Sequence, residues 1–195
     1  MALTTNIILV CVTAPTFTPR QPKSGPWNKF NDARPYLSVM GIPFDKRGDI
    51  LILYRSDKVR SAKNVWSFPS GLGEVGLTPE EQLLIELHEE FNLTSSLDRV
   101  EQLTSFQNIA INDNWHWHIT LYAVEIDSFS QIINKEPDKH SSYEIISYHS
   151  LRTGTITQKK WSNGLDAIIN SEPMRNKIYR HVLDHTLYSA AQFVD

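Results

Sequence analysis

Three glutamates, Glu86, Glu89 and Glu90, stand at i, i+3 and i+4 in the run ELHEEF. On a helix that spacing gathers three carboxylates on one face within a turn, where like charges repel by roughly a few tenths of a kcal/mol per pair. A hard divalent cation with oxygen ligands is the natural neutraliser. Taken alone, such a run is what a solvated acidic face looks like. The residues before it change the reading. Pro69-Ser70-Gly71, Gly73 and Gly76 make a glycine-punctuated loop that can turn sharply and approach a ligand closely, directly ahead of a helix N-terminus.

The helix that must position these acids is well marked. Thr78 is a good N-cap, Pro79 suits the first helical position, and Glu81 completes a capping box, so the helix is predicted to begin at Pro79. Leu83, Leu84, Leu87 and Phe91 recur at three and four and supply its buried stripe. Upstream, Tyr36–Phe44 and Asp49–Tyr54 read as strands joined by the turn Asp45–Gly48, with Arg55 at the end of the second. Arg55, Lys58, Arg60 and Lys63 then form a cationic segment, either solvated loop or a phosphate contact.

Downstream, Val100–Ile111 is strand-like, Asn112–Asn114 is a turn, and Trp115–Ile126 is a strand. Its alternation sets Trp115, Trp117, Ile119, Leu121 and Ala123 on one side and His116, His118, Thr120, Tyr122 and Val124 on the other. The pair His116 and His118 has no third ligand assigned beside it, so it reads as pocket wall or packed surface and not as a zinc site. Ser142–Tyr148 is the last strand. Leu165–Asn170 is a short helical piece, and Ser171–Ala191 a final helix capped by Ser171, with Met174, Ile178, Val182 and Leu187 along one side. At the other end, Ile7–Thr13 is a β-branched run followed by a proline-rich stretch in which Trp27 and Phe30 read as surface anchors.

The stretch WSFPSGLGEVGLTPEEQLLIELHEEFNL resembles the Nudix box, G-x5-E-x7-R-E-U-x-E-E-x-G-U with U aliphatic. Gly71 matches the leading glycine, Glu86 the E after the arginine, Leu87 the first U, Glu89 and Glu90 the E-E pair, and Leu93 the last U. Leu77 stands where the family has Glu, Ile85 where it has Arg, and Asn92 where it has Gly. Asn92 is a mild departure, because Asn is the next-best residue for a left-handed helix C-cap. In the family the Glu and Arg lie close together, so Leu77 and Ile85 are expected to touch as an apolar replacement for an ion pair, which is often neutral or stabilising. The strand containing Trp117-His118-Ile119-Thr120 and the loop Glu136-Pro137-Asp138-Lys139 are similar to the H-Y-V-T strand and E-P-E-K loop of Nudix nucleoside triphosphate diphosphatases.

That resemblance, which covers about Arg34 to Leu151, implies an α/β protein with a Nudix fold, an α/β/α sandwich around a mixed central sheet. It divides the chain into an N-terminal strand and proline-rich extension at 1–33, a Nudix domain at 34–152 and a C-terminal helical segment at 153–195. It implies hydrolysis of a pyrophosphate bond in a nucleoside diphosphate derivative, with a nucleoside triphosphate as first choice. Glu86, Glu89 and Glu90, with a backbone carbonyl near Gly71, would hold Mg2+, with Mn2+ as the other fit; Glu89 or Glu86 would act catalytically. Arg55, Ser70, His118, Glu136 and Lys139 would contact substrate. Two other readings stay open: a nucleotide-binding module without turnover, and an interaction protein docking a partner through its N-terminal loop and C-terminal helix.

Composition narrows the classes. The 195 residues suffice for a good core, and 41% hydrophobic with 21% charged residues is ordinary for a globular protein. A net charge of -3 argues against an extended nucleic-acid surface, though not against one nucleotide with its metal. A single cysteine, Cys11, excludes an intrachain disulfide and fits a reducing interior, so a cytoplasmic location is expected. The run Ile7–Val12 is too short to span a bilayer, and no basic residue precedes it, so no membrane association or signal peptide is expected. A homodimer through the terminal segments is left open.

Overall fold

In the computed structural model, residues 36–110, 115–162 and 164–191 are described. The expected strand at Ile7–Thr13, the anchors Trp27 and Phe30, Cys11 and the turn at Asn112–Asn114 lie outside the described residues.

The sheet is built on β1 (Tyr36–Phe44) and β2 (Asp49–Arg55), whose connection is made rigid by Asp45: its Oδ1 accepts from the Arg47 and Asp49 amides at 2.9 and 3.1 Å. Next come β3 (Trp66–Ser67) and β4 (Ser70–Leu72), then α1 (Pro79–Phe91), β5 (Val100–Ala110), β6 (Trp115–Glu125) and β7 (His140–Ser147). Three helices close the chain: α2 (His149–Thr153), α3 (Leu165–Asn170) and α4 (Glu172–Ala191). The strand order is β3-β2-β1-β6-β5, with β4 added to β1 and β7 to β2. β1 and β6 run parallel from Tyr36↔Trp117 to Phe44↔Glu125, and the other pairs are antiparallel, so the sheet is mixed.

Each face of the sheet has its own core. On one, Leu83, Leu87 and Phe91 of α1 pack with Val39, Leu51, Leu53, Tyr122 and Val124, all of them buried. Burying three such helix side chains is worth roughly 1.5–3 kcal/mol each. α1 comes close because β1 carries Gly41, where a Cβ would lie 2.9 Å from Leu83 Cδ1. On the other face, Ile178 and Val182 of α4 and Leu165 and Ile169 of α3 cover Ile42, Phe44, Ile50, Ile52 and Leu121. The expected α/β/α sandwich with a mixed sheet is therefore the observed architecture.

Several local expectations hold and some shift. α1 starts at Pro79 with both halves of the capping box made by Thr78 and Glu81, and ends at Asn92 with φ 57°. The alternation of β6 holds, since Ile119, Leu121 and Ala123 face α4 while Tyr122 and Val124 face α1. Two short strands, β3 and β4, occupy a stretch that reads as loop, because they complete hydrogen-bonding edges of β2 and β1 that nothing local encodes. Ser171 stands at the cap position of α4 as expected, its carbonyl accepting from the Arg175 amide at 2.9 Å, and is at the same time the C-cap of α3.

Candidate active site

β4 and α1 bring the site together. Gly71 sits on β4 opposite Val39, and its missing side chain is where Glu86 lies: a Cβ on Gly71 would be 2.1 Å from Glu86 Oε1 and 2.2 Å from its Cδ. No residue but glycine leaves room for that carboxylate. The Gly71 carbonyl accepts from Ser38 Oγ at 2.8 Å. Gln82, one helical turn before Glu86, donates its Nε2 to Glu86 Oε1 at 2.9 Å.

The three glutamates do not share one environment. Glu89 is exposed, Glu86 is half-buried, and Glu90 is only 1% exposed, which excludes a solvated acidic face for this helix. Burial, and after it the charge of Glu90, pushes the Glu86 carboxyl up to about 7, with Lys139 and Gln82 pulling partway back. A half-buried carboxyl raised in this way beside a buried glutamate marks a place short of positive charge.

The chain supplies part of that charge. Lys139 reaches Glu90 Oε1 in an ion pair and lies 3.1 Å from Glu136 Oε2. Burial works against its ammonium, but Glu90 and Glu136 outweigh it and hold the pKa above the ordinary value. The loop carrying Lys139 is strapped to α1, with the Lys135 amide on the Glu90 carbonyl at 2.9 Å and Lys135 Nζ on the His88 carbonyl at 2.9 Å. From the other side, Ser56 Oγ donates to the Asp138 carbonyl at 2.5 Å and the Ser56 amide to the Lys139 carbonyl at 3.0 Å.

His140, absent from the residues expected at the site, completes the group. It is 1% exposed, its ring lies 5.2 Å from that of Phe91, and Nε2 is 3.5 Å from Glu90 Oε2, too far for a hydrogen bond. Glu90 Oε2 and Gln82 Oε1 are buried without a hydrogen-bond partner among the described residues. Glu90, Glu136 and His140 offer ligand atoms within 4.8 Å of one another. A buried carboxylate oxygen with no donor, next to a ring nitrogen with none, fits a divalent cation. Glu86, against Gly71 and within electrostatic reach of Glu90, is a further oxygen donor close to this group. His140 had one sequence signal, its place directly after the Glu136–Lys139 loop, and Gln82 had its i−4 spacing from Glu86.

The other candidates are placed as follows. Arg55 sits at the end of β2, where Nε and Nη2 donate to the Ala62 and Ser61 carbonyls, both at 3.1 Å. Burial lowers its pKa and Glu90 opposes that, so the guanidinium braces its own loop within electrostatic reach of the site. Ser70 precedes Gly71 on β4, opposite Met40. His118 lies opposite Leu37 on the α1 side of the sheet, and Leu37 accepts from the Gly73 amide at 3.1 Å, so the two strands' width from His118 to the glycine loop forms one wall. His116 rests 3.2 Å from Gln107 Oε1, and neither it nor His118 joins a trio of possible metal ligands among the described residues. Leu77 and Ile85 are 37% and 38% exposed. A contact between them would lie at the surface and not in the core.

This geometry agrees with the comparisons. The family model described as NUDIX domain matches residues 34–165. The chain belongs to the Nudix family. As a Nudix hydrolase it is a pyrophosphohydrolase acting on phosphoric anhydrides. No curated protein matches the sequence. Among solved structures it is similar to a MutT NUDIX hydrolase from Burkholderia pseudomallei, at 21% identity over 59% of this chain and 84% of that one with a TM-score of 0.50. It is also similar to the NUDIX domain of Shewanella oneidensis NrtR complexed with ADP ribose, at 12% identity over 84% and 94% of the two chains with a TM-score of 0.55. An Ap4A hydrolase from C. elegans aligns at 10% identity over 76% and 98% with a TM-score of 0.54. These likenesses are of fold. No helix among the described residues of this Nudix chain is long and apolar enough to cross a membrane.

Proposed function

We propose that this Nudix hydrolase cleaves a pyrophosphate bond in a nucleoside diphosphate derivative, with a nucleoside triphosphate as the first substrate to test and Mg2+, or Mn2+, as the ion. One observation supports this above the rest: the Glu86 carboxylate occupies the space that Gly71 leaves empty, beside a buried Glu90 whose Oε2 has no donor. Glu86 and Glu90, with Glu89 and the Gly71 carbonyl, would hold the ion. When bound, it supplies the positive charge that a polyanionic phosphate chain needs before water can attack phosphorus.

The chain's own groups do the rest. Hydrolysis adds the elements of water across one P–O–P bridge: a new P–O bond forms to water, the bridging bond breaks, and the leaving phosphate takes a proton. Glu89, the exposed member of the helical turn, would accept the proton from water, with Glu86, its pKa raised to about 7, as the other candidate. Lys139, ion-paired with Glu90, would be the residue to meet a phosphate oxygen. Arg55 adds positive potential, while Ser70, His118 and Glu136 line the approach for the rest of the nucleotide. Residues 34–152 would be the catalytic domain and 153–195 a helical segment sealing its rear face. A cytoplasmic location and a homodimer belong to the same proposal.

The test is a panel of nucleoside triphosphates, dinucleotides including Ap4A, ADP-ribose, nucleotide sugars and capped RNA, each with Mg2+ and with Mn2+. Wild type should turn over at least one of them, and Glu90→Gln should lower kcat/KM by 100-fold or more. Saturable nucleotide binding without turnover under either metal would overturn the catalytic reading.

A further inference from the structure

On the face of the sheet opposite α1, the end of α4 meets the start of β5 and the end of β6. His181 and His185 stand at i and i+4 on α4, in the sequence HVLDH, with ring centroids 4.5 Å apart. Glu101 is opposite Ala123, so its side chain leaves the sheet on the α4 side, and Glu125 shares that side by alternation. His181 Nδ1 is 3.5 Å from Glu101 Oε1, and His185 Nδ1 is 3.4 Å from Glu125 Oε2. Both separations exceed the 2.7–2.9 Å typical of charge-assisted hydrogen bonds. The His181–Glu101 separation matches the spacing of two ligands on one tetrahedral ion, about 3.4 Å for bonds of roughly 2.1 Å.

From this placement we infer that Glu101, His181 and His185 form a binding site for a divalent transition-metal ion of the zinc class, with Glu125 steering the His185 ring. The three offer ligand atoms that all lie within 4.8 Å of one another. Two imidazoles one helical turn apart and a carboxylate from elsewhere are the donor types that zinc takes, with water in the fourth position. The rings are already oriented: Phe44 meets His181 edge-on at 5.9 Å and 87°, and His185 at 5.8 Å and 70°. The positive groups nearby are engaged elsewhere. Lys177 donates to the Leu103 carbonyl, and Arg99 is paired at 3.0 Å with both Glu125 and Asp127.

The site lies across the sheet from the glutamate helix, so its role is to fasten α4 onto β5 and β6 and not to touch substrate. It is independent of the hydrolytic reading. The test uses the full chain stripped with chelator and titrated with Co2+, followed by its visible d–d absorption, and with Zn2+, followed by thermal melting. Wild type should show the intense bands of tetrahedral cobalt with nitrogen ligands, and Zn2+ should raise its Tm by several degrees. Both effects should persist in Glu90→Gln, which removes a ligand of the candidate active site. They should weaken at least tenfold in affinity in His185→Gln and in Glu101→Gln. Glu101 is 63% exposed, so its variant folds and reports on the site even where the histidine variant does not. Unchanged Zn2+ affinity in Glu101→Gln, or loss of the cobalt bands in Glu90→Gln, would overturn the assignment.

Discussion

Gly71 and Glu86 show how one absent side chain organises a site. A methyl group at Gly71 would overlap the Glu86 carboxyl, so Gly71→Ala should displace Glu86 at a stability cost of about 1–3 kcal/mol while lowering kcat/KM by 100-fold or more. Thermal melts and steady-state kinetics on one preparation separate the two effects. The pH dependence has a sign that can be worked out. Glu86 has its folded pKa raised to about 7 from 4.5, so its contribution to stability is fully present below pH 4.5 and is lost as pH rises through 7. The metal-free protein should therefore melt at higher temperature when pH is lowered from about 7.5 towards 5, and Glu86→Gln should flatten that part of the profile. Lys139 is a third case. Its removal strands Glu90 in a buried place, and because Lys139 is itself 33% exposed the expected cost for Lys139→Ala is about 2 kcal/mol, below that of breaking a fully buried pair. Saturating Mg2+ should restore more of the lost Tm in this variant than it adds to wild type.

α1 works as an element because its ends are tied independently of its middle. The capping box and Pro79 fix where it begins, and Asn92 in the left-handed region fixes where it ends, so Glu86 and Glu90 cannot drift in rotation. Thr78→Ala should cost about 1 kcal/mol by chemical denaturation. Ile85 lies on the exposed side of the same helix at 38% exposure, so Ile85→Arg should change stability by less than about 0.5 kcal/mol with or without Leu77→Glu. The start and stop of α1 and its buried stripe were legible in the sequence because caps and a 3.6-residue period are local signals. β3 and β4 were not, since strands of two and three residues are defined by the edges they complete and carry no period of their own.

The whole molecule separates chemistry from support by its sheet. α1, the glycine loop and the Glu136–Lys139 loop gather on one face, and α3 and α4 close the other. Ile178 of α4 is fully buried, so Ile178→Ala should cost about 2–4 kcal/mol while leaving kcat/KM at temperatures well below Tm within about twofold of wild type. A large loss of activity in a variant that melts cooperatively would show that the two faces are coupled. The forked sheet explains how the site is assembled. β1 pairs with β4 through Ser38–Met40 and with β6 along its whole length, which sets Gly71 and His118 on opposite edges of the same strand.

Residue order along the chain is enough to specify the local frame: a capped helix, three acids on one turn of it, a glycine loop before it and alternating strands around it. Those follow from short-range sterics and periodicity, which act within a few residues. How each acid behaves was settled by packing. The folded chain buried Glu90 and left Glu89 in solvent, pressed Glu86 against Gly71, and delivered Lys139 and His140 from 49 and 50 positions away along the chain to the same carboxylate. Desolvation and charge pairing depend on what the rest of the chain packs against a group, and no spacing along α1 contains that information.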